Sequence, residues 1–191
     1  MKGHYLRRDL RIRVTKDIIS PLQVKLDNIK EICSKDGYIY WDSIYADDTE
    51  HLVGTVFIVL QNYINSSISD LYPDLLKLSD KYSIDKKVNN SQTTRIELII
   101  AIANYYKHRD SPSKLRSNTI KPLNDLKIAY KEIYDEQNEI YSHIVGSCSP
   151  VFEGLSLLSE LWDFNDLINI VSDWRENMWL NEEKSPTLQV E

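Results

Sequence analysis

Residues 94–110 read TRIELIIAIANYYKHRD, and this stretch decides the fold class. Ile96, Leu98, Ile99, Ile100, Ala101, Ile102 and Ala103 leave no ordinary solvent face across two helical turns, which predicts a helix at the centre of a bundle. Thr94 and Glu97 form the capping pair that starts it. At about 100° per residue Glu97, Asn104 and His108 fall nearly above one another, with Ala101 between them and Lys107 beside the line. Amide, carboxylate and imidazole groups on a buried helix need partners. The stripe is therefore expected to face a polar crevice, polar groups of another helix, or a second subunit. A satisfied hydrogen-bond network in the core, with the helix end emerging into water, accounts for the same residues without any function. Lys107, His108 and Arg109 also suit the negative end of the helix dipole whatever else they do.

Outward from this helix, composition supports the same class. Five glycines and six prolines in 191 residues, with 42% hydrophobic content, favour helices over a sandwich of short strands. The expectation is one all-α domain: a bundle of about five to seven helices with a short extended basic N-terminal arm. Its divisions are an arm over 1–19, the bundle over 20–180 and a mobile tail over 181–191. Cys33 and Cys148 are too few for a disulfide framework and lack metal-ligand spacing, which suits two reduced thiols in a cytoplasmic protein. The longest apolar runs, near Leu52–Leu60 and Ile96–Ala103, fall well short of a membrane span, and no secretory leader is read at the N-terminus. No cofactor or metal is expected.

The net charge of −6 conceals an asymmetry. Lys2, Arg7, Arg8, Arg11, Arg13 and Lys16 against Asp9 give +5 in the first 16 residues, leaving −11 on the remainder. Arg7, Arg8, Arg11 and Arg13 are the candidate nucleic-acid contacts; the same arm can instead pack across the acidic body of its own subunit or a partner's. Leu10, Ile12 and Val14 alternate with Arg11 and Arg13, which predicts an extended segment.

Ser20-Pro21-Leu22-Gln23 reads as a helix start, with Leu22, Leu26, Ile29 and Cys33 as the buried stripe and an end near Asp36-Gly37. Tyr38, Tyr40, Trp41 and Tyr45 form an aromatic connector that covers the core. A second core helix follows from Asp47 through Leu71. Its first-turn acids Asp47, Asp48 and Glu50, next to His51, resemble metal ligands but are better explained by the dipole. After the break at Tyr72-Pro73 come a short continuation through Leu78 and a polar loop over 83–92. Residues 111–122 read as a basic loop beside the polar end of the central helix. Leu123, Leu126, Tyr130, Ile133, Gln137, Ile140 and Ile144, with Gln137 the one polar interruption, predict one long helix carrying Glu132, Glu136, Glu139 and His143 on a solvated face. Gly146 would end it; Ser149-Pro150 starts another helix, and a final one covers roughly Phe164–Leu180.

Asn104 and His108, one turn apart with Lys107 and Arg109 adjacent, have the makings of an anion-handling acid/base site. A histidine titrating near neutrality takes a proton from a ribose 2′-hydroxyl or supplies one to a leaving oxygen, while a cation stabilises the crowded phosphate. The stretch Ala103-Asn104-Tyr105-Tyr106-Lys107-His108 resembles the motif of the HEPN superfamily: arginine, a polar residue that is often asparagine, three variable residues, histidine. That resemblance implies a compact all-helical protein. It also implies metal-independent ribonuclease action as a homodimer in a bacterial toxin–antitoxin or antiphage system, with both His108 side chains facing one cleft. Asn104 and His108 match, whereas Ala103 stands where the motif has arginine. The phosphate cation then comes from Arg109, Lys107 or another subunit, or the site is inactive.

Two functions stay open. One is a HEPN-like RNA-cleaving or nucleotide/RNA-binding effector with His108 as acid/base, Asn104 positioning it, Lys107 or Arg109 on phosphate and Glu97 supporting the stripe. The other is a non-catalytic immunity or antitoxin-type protein that covers a basic cognate partner with its acidic body. It predicts a buried, hydrogen-bonded His108.

Overall fold

The computed structural model describes residues 7–36, 44–110, 115–135 and 140–184. They form an all-helical bundle of seven helices: α1 (Arg11–Asp36), α2 (Ile44–Leu71), α3 (Ser79–Tyr82), α4 (Arg95–His108), α5 (Ser117–Asp125), α6 (Pro150–Leu158) and α7 (Phe164–Lys184). A two-stranded hairpin, β1 (Lys131–Asp135) and β2 (Ile140–His143), and a short 3-10 turn at Gly146–Cys148 sit between α5 and α6. Among the described residues no helix is long and apolar enough to cross a membrane.

The central helix is α4. It packs against α2, α3, α5, α6 and α7, and Ile96, Leu98 to Ala103 and Tyr105 are buried, so the unbroken apolar run is spent on neighbours all round. Its start is fixed locally: the Thr94 side chain accepts from Glu97 N at 3.2 Å, and Glu97 Oε2 accepts from Thr94 N at 2.8 Å. Two glycines admit close approach. A Cβ at Gly154 of α6 would stand 2.6 Å from Ile102 Cγ1, and one at Gly54 of α2 would clash with the Tyr106 ring. The expected core stripe of α2 is buried from Val53 to Leu71, and in α7 Leu167, Ile168, Val171, Trp174 and Met178 are buried as read from their spacing. Ser149 caps α6, with Pro150 at its first position.

Several expectations are corrected. The segment around Leu10–Val14 is not extended: α1 begins at Arg11 and runs through Pro21, nine residues before the expected start at Ser20-Pro21. Proline is tolerated here because it lies on the exposed side of the helix, while buried Ile19, Leu26 and Ile29 hold the inner side on α2 and α7. Gln23, expected in a capping box, instead donates to Asp27 Oδ1 at 2.8 Å and accepts from Phe164 N at 2.7 Å.

The long helix expected over 123–144 does not exist. Helix α5 ends at Asp125 in a Schellman-type turn: Ile128 N donates to Leu123 O at 2.8 Å, Lys127 N to Asn124 O at 3.1 Å, and Lys127 takes φ 60°. Beyond it the chain pairs Lys131 with His143, Glu132 with Ser142, Ile133 with Tyr141 and Asp135 with Ile140, with an irregularity between Ile133 and Asp135. Glu132 and His143 therefore lie on opposite strands rather than one helical face; Glu136 and Glu139 fall outside the described residues. Residues 117–122, expected as loop, are already helical, the first part of α5. At the C-terminus α7 continues to Lys184, past the expected end at Leu180. Of the aromatic connector, Tyr38, Tyr40 and Trp41 lie outside the described residues, as do 185–191 of the expected tail; Tyr45 is half-buried in α2.

Candidate functional site

The polar groups of α4 are not one site. They divide between the two flanks of its contact with α2, and each flank recruits residues from α2 that were not expected to participate.

On one flank Gln61 of α2 is buried and satisfied at both ends. Its Nε2 donates to Asn104 Oδ1 at 2.9 Å, and its Oε1 accepts from Lys107 Nζ at 2.5 Å. Asn104 is half-buried, so this chain fixes its amide plane and anchors the lysine stem. Partial burial pushes the Lys107 ammonium below its ordinary pKa. His108, at the last position of α4, is exposed and makes no hydrogen bond among the described residues.

On the other flank Arg109 turns away from His108 toward the start of α2. Its guanidinium pairs with the Glu50 carboxylate, both side chains almost wholly buried, and lies 4.7 Å from the Tyr106 ring centroid. Glu50 Oε2 also accepts from Gly146 N at 2.7 Å, which ties the 3-10 turn to α2. His51 Nδ1 stands 2.8 Å from the Tyr106 hydroxyl, and burial raises the Tyr106 pKa. Tyr105 donates to Ile144 O, joining α4 to the segment after the hairpin.

Glu97 belongs to neither flank. Its carboxylate caps α4 and borders a cleft of about 740 Å³ with Thr93, Ser117, Lys121 and Asp125; it lies about 16 Å along the axis from His108. In that cleft Asp125 accepts from the Thr93 hydroxyl at 2.7 Å and from the backbone N–H of Thr93 and Gln92. These bonds, led by the hydroxyl, hold its pKa below the ordinary carboxylate value. Asp47, Asp48, Glu50 and His51 do not converge: among the described residues no three His, Cys, Asp or Glu side chains are grouped to hold a metal ion.

Within the described part of the basic arm, Arg7 and Arg11 lie on their own subunit. Arg7 pairs with Glu176 and with Glu183 (2.8 Å) of α7 and sits 5.7 Å from the Trp179 ring; Arg11 pairs with Asp70 of α2 at 2.7 Å. Asp9 accepts from Ile12 N at 3.0 Å and from the buried Tyr63 hydroxyl, with Arg175 Nε 3.9 Å away. Burial, then the Asp9 contact, drives the Tyr63 pKa up. Arg8 and Arg13 are exposed.

Sequence reasoning placed Asn104, Lys107 and His108 along one stripe; the structure joins Asn104 and Lys107 through Gln61 and leaves His108 exposed at the helix end. It moves Arg109 to a separate ion pair and adds Gln61, Glu50, His51 and Tyr106. Gln61 carried a partial signal, an amide next to Asn62 between buried Leu60 and Ile64. Glu50 carried none, since an acid in a first helical turn is explained by the dipole alone. Comparison with protein-family models, curated proteins and solved structures finds no match.

Proposed function

We propose that this chain is a HEPN-like helical effector that handles RNA without a metal ion, and that its working surface is the carboxyl end of α4. The observation that carries the reading is His108: exposed and without a hydrogen bond among the described residues, one turn from an immobilised Asn104 and next to Lys107 anchored through Gln61. An interaction protein that used His108 as core structure would have buried and bonded it.

In the proposed step the neutral His108 imidazole accepts the proton of a ribose 2′-hydroxyl. The 2′ oxygen attacks the adjacent phosphorus, the bond to the 5′ oxygen breaks, and that oxygen takes a proton from water, leaving a 2′,3′-cyclic phosphate. Lys107 supplies positive charge to the non-bridging oxygens. Ala103 is fully buried, so the motif's arginine position offers no cation here, and Arg109 is already neutralised by Glu50. Asn104 orients the surface. A role in toxin–antitoxin or antiphage systems, and a cytoplasmic location, follow from the resemblance to the superfamily.

Purified protein incubated with single-stranded and structured RNA in chelator tests this reading. Cleavage lost in both His108→Ala and Lys107→Ala, at unchanged helicity, supports it. Equal cleavage by wild type and His108→Ala, or none by either, overturns it. A second reading, a non-catalytic immunity or antitoxin-type protein, is favoured by the occupation of Arg7 and Arg11 in ion pairs with their own body. Under that reading RNA is neither bound nor cut, and a basic protein partner copurifies.

A further inference from the structure

A groove of about 400 Å³ runs between the start of α1 and α2. Leu10, Val14 and Ile18, which are 60%, 52% and 47% exposed, form its apolar wall. Three polar side chains that line it have no partner: exposed Arg8, exposed Asn62 and half-buried Ser66 make no hydrogen bond or ion pair among the described residues. Both of its carboxylates are occupied, Asp9 by Ile12 N and the Tyr63 hydroxyl, Asp70 by Arg11. Arg8, Arg11 and Arg175 against Asp9 and Asp70 leave the groove with one positive charge, on a chain whose net charge is −6. An apolar wall, a free amide and hydroxyl, and an uncompensated guanidinium match the three parts of a nucleotide: base, ribose and phosphate.

Helix α2 links this groove to the end of α4. From His51 to Ser69 it carries no Asp, Glu, Lys or Arg, although the whole chain has 29 acidic residues, so a polyanion meets no repulsion along it. Its outward side presents Thr55, Asn62, Ser66 and Ser69. Asn62 directly follows Gln61, whose Oε1 holds Lys107, and Ser66 lies about 6 Å further along the axis. The groove is thus the next cationic station along α2 from the Lys107–His108 surface.

We propose that single-stranded RNA crosses this acid-free face of α2 and seats one nucleotide in the groove, a proposal that rests on the RNA reading above and places the strand. The phosphate of that nucleotide lies on Arg8, and its base lies against Leu10, Val14 and Ile18 with a polar edge on the Asn62 amide. The Ser66 hydroxyl bonds the ribose. The seat selects single strands, because a duplex keeps its base faces stacked inside and offers the apolar wall nothing to cover it.

Fluorescence anisotropy with a labelled 2′-O-methyl RNA strand of about ten residues tests the seat, since methylation removes the attacking hydroxyl and leaves binding alone to be read. Arg8→Ala is expected to raise Kd about five- to tenfold and to lower the slope of log affinity against log salt by about one. Asn62→Ala raises Kd about threefold with the slope unchanged, because the amide is neutral. Val14→Glu, which sets a carboxylate on the wall, raises it at least about tenfold. Arg13→Ala, exposed on α1 but outside the groove, leaves Kd unchanged, and the strand annealed to its complement loses the dependence on Val14 and Asn62. Unchanged binding in Arg8→Ala and Asn62→Ala, an equal loss in Arg13→Ala, or no binding by wild type overturns the proposal. Cleavage of unmodified RNA by wild type and His108→Ala is read separately. His108-dependent cleavage with groove variants that bind like wild type sinks the seat alone, whereas groove-dependent binding without cleavage sinks the nuclease and keeps the seat.

Discussion

Replacing Glu50 by glutamine isolates the charge that ties the start of α2 to the end of α4. Glutamine keeps the shape of the side chain and can still accept the Gly146 N–H, but it leaves the Arg109 guanidinium, whose side chain is 7% exposed, without its carboxylate. Breaking a buried pair from one side costs about 3–5 kcal/mol. Two features reduce this: the Tyr106 face offsets about 1 kcal/mol, and the exposed Asp110 carboxylate 3.7 Å away adds weak screening. The expected loss is about 2–4 kcal/mol, which at about 2–4 °C per kcal/mol for a chain of this size lowers Tm by about 5–15 °C. Urea unfolding followed by circular dichroism gives the free energy, provided the slope with denaturant is unchanged. Replacing both members by apolar residues of similar volume, Glu50→Leu with Arg109→Met, should recover most of the loss, because no buried charge is then left unpaired. A Glu50→Gln protein within about 1 kcal/mol of wild type, or a double variant whose loss equals the sum of the singles, refutes the assignment of Arg109 to structure.

Two further outcomes follow from local geometry. Lys127 holds φ 60° at the end of α5, where a side chain is strained, so Lys127→Gly should raise stability by about 0.5–1 kcal/mol in the same unfolding assay; a loss would show the turn is not strained. The Asp125 carboxyl is held below its ordinary pKa, first by the Thr93 hydroxyl, then by backbone N–H groups of Gln92 and Thr93. Its contribution is therefore present above the unfolded value of about 4 and lost as pH falls through the lower folded value. Asp125→Asn should lower Tm at pH 7 and flatten the decline of Tm between pH 5 and 2, and an unchanged acid limb would count against this bond.

The outcome along the chain separates two kinds of information. Where one helix buries a continuous apolar run with its own cap, as α4 does from Thr94, periodicity and capping chemistry suffice, because both are properties of a few adjacent residues. The same holds for the buried stripe of α2, the Ser149-Pro150 start of α6 and the core positions of α7. Between Leu123 and Ile144 the local signals conflict: apolar residues recur three and four apart, yet Ile133-Tyr134 and Ile140-Tyr141 also suit strands flanking a polar turn. The helix stop there is a lysine in a left-handed turn rather than a glycine, so nothing in the composition announces it.

The candidate site divides in the same way. Helical spacing alone places Asn104, Lys107 and His108 on neighbouring positions. Which of them reach solvent, and which are held, depends on Gln61, 43 residues earlier than Asn104, arriving between Asn104 and Lys107. The partnership of Arg109 with Glu50, and of Arg7 with Glu176, joins residues 59 and 169 positions apart. The sequence by itself determined the helical class, the central helix and the charge asymmetry, since these follow from period, capping and count. Only the tertiary structure decided where the cations point, because a charge on a long flexible side chain takes whichever opposite charge the packing of other helices brings within reach.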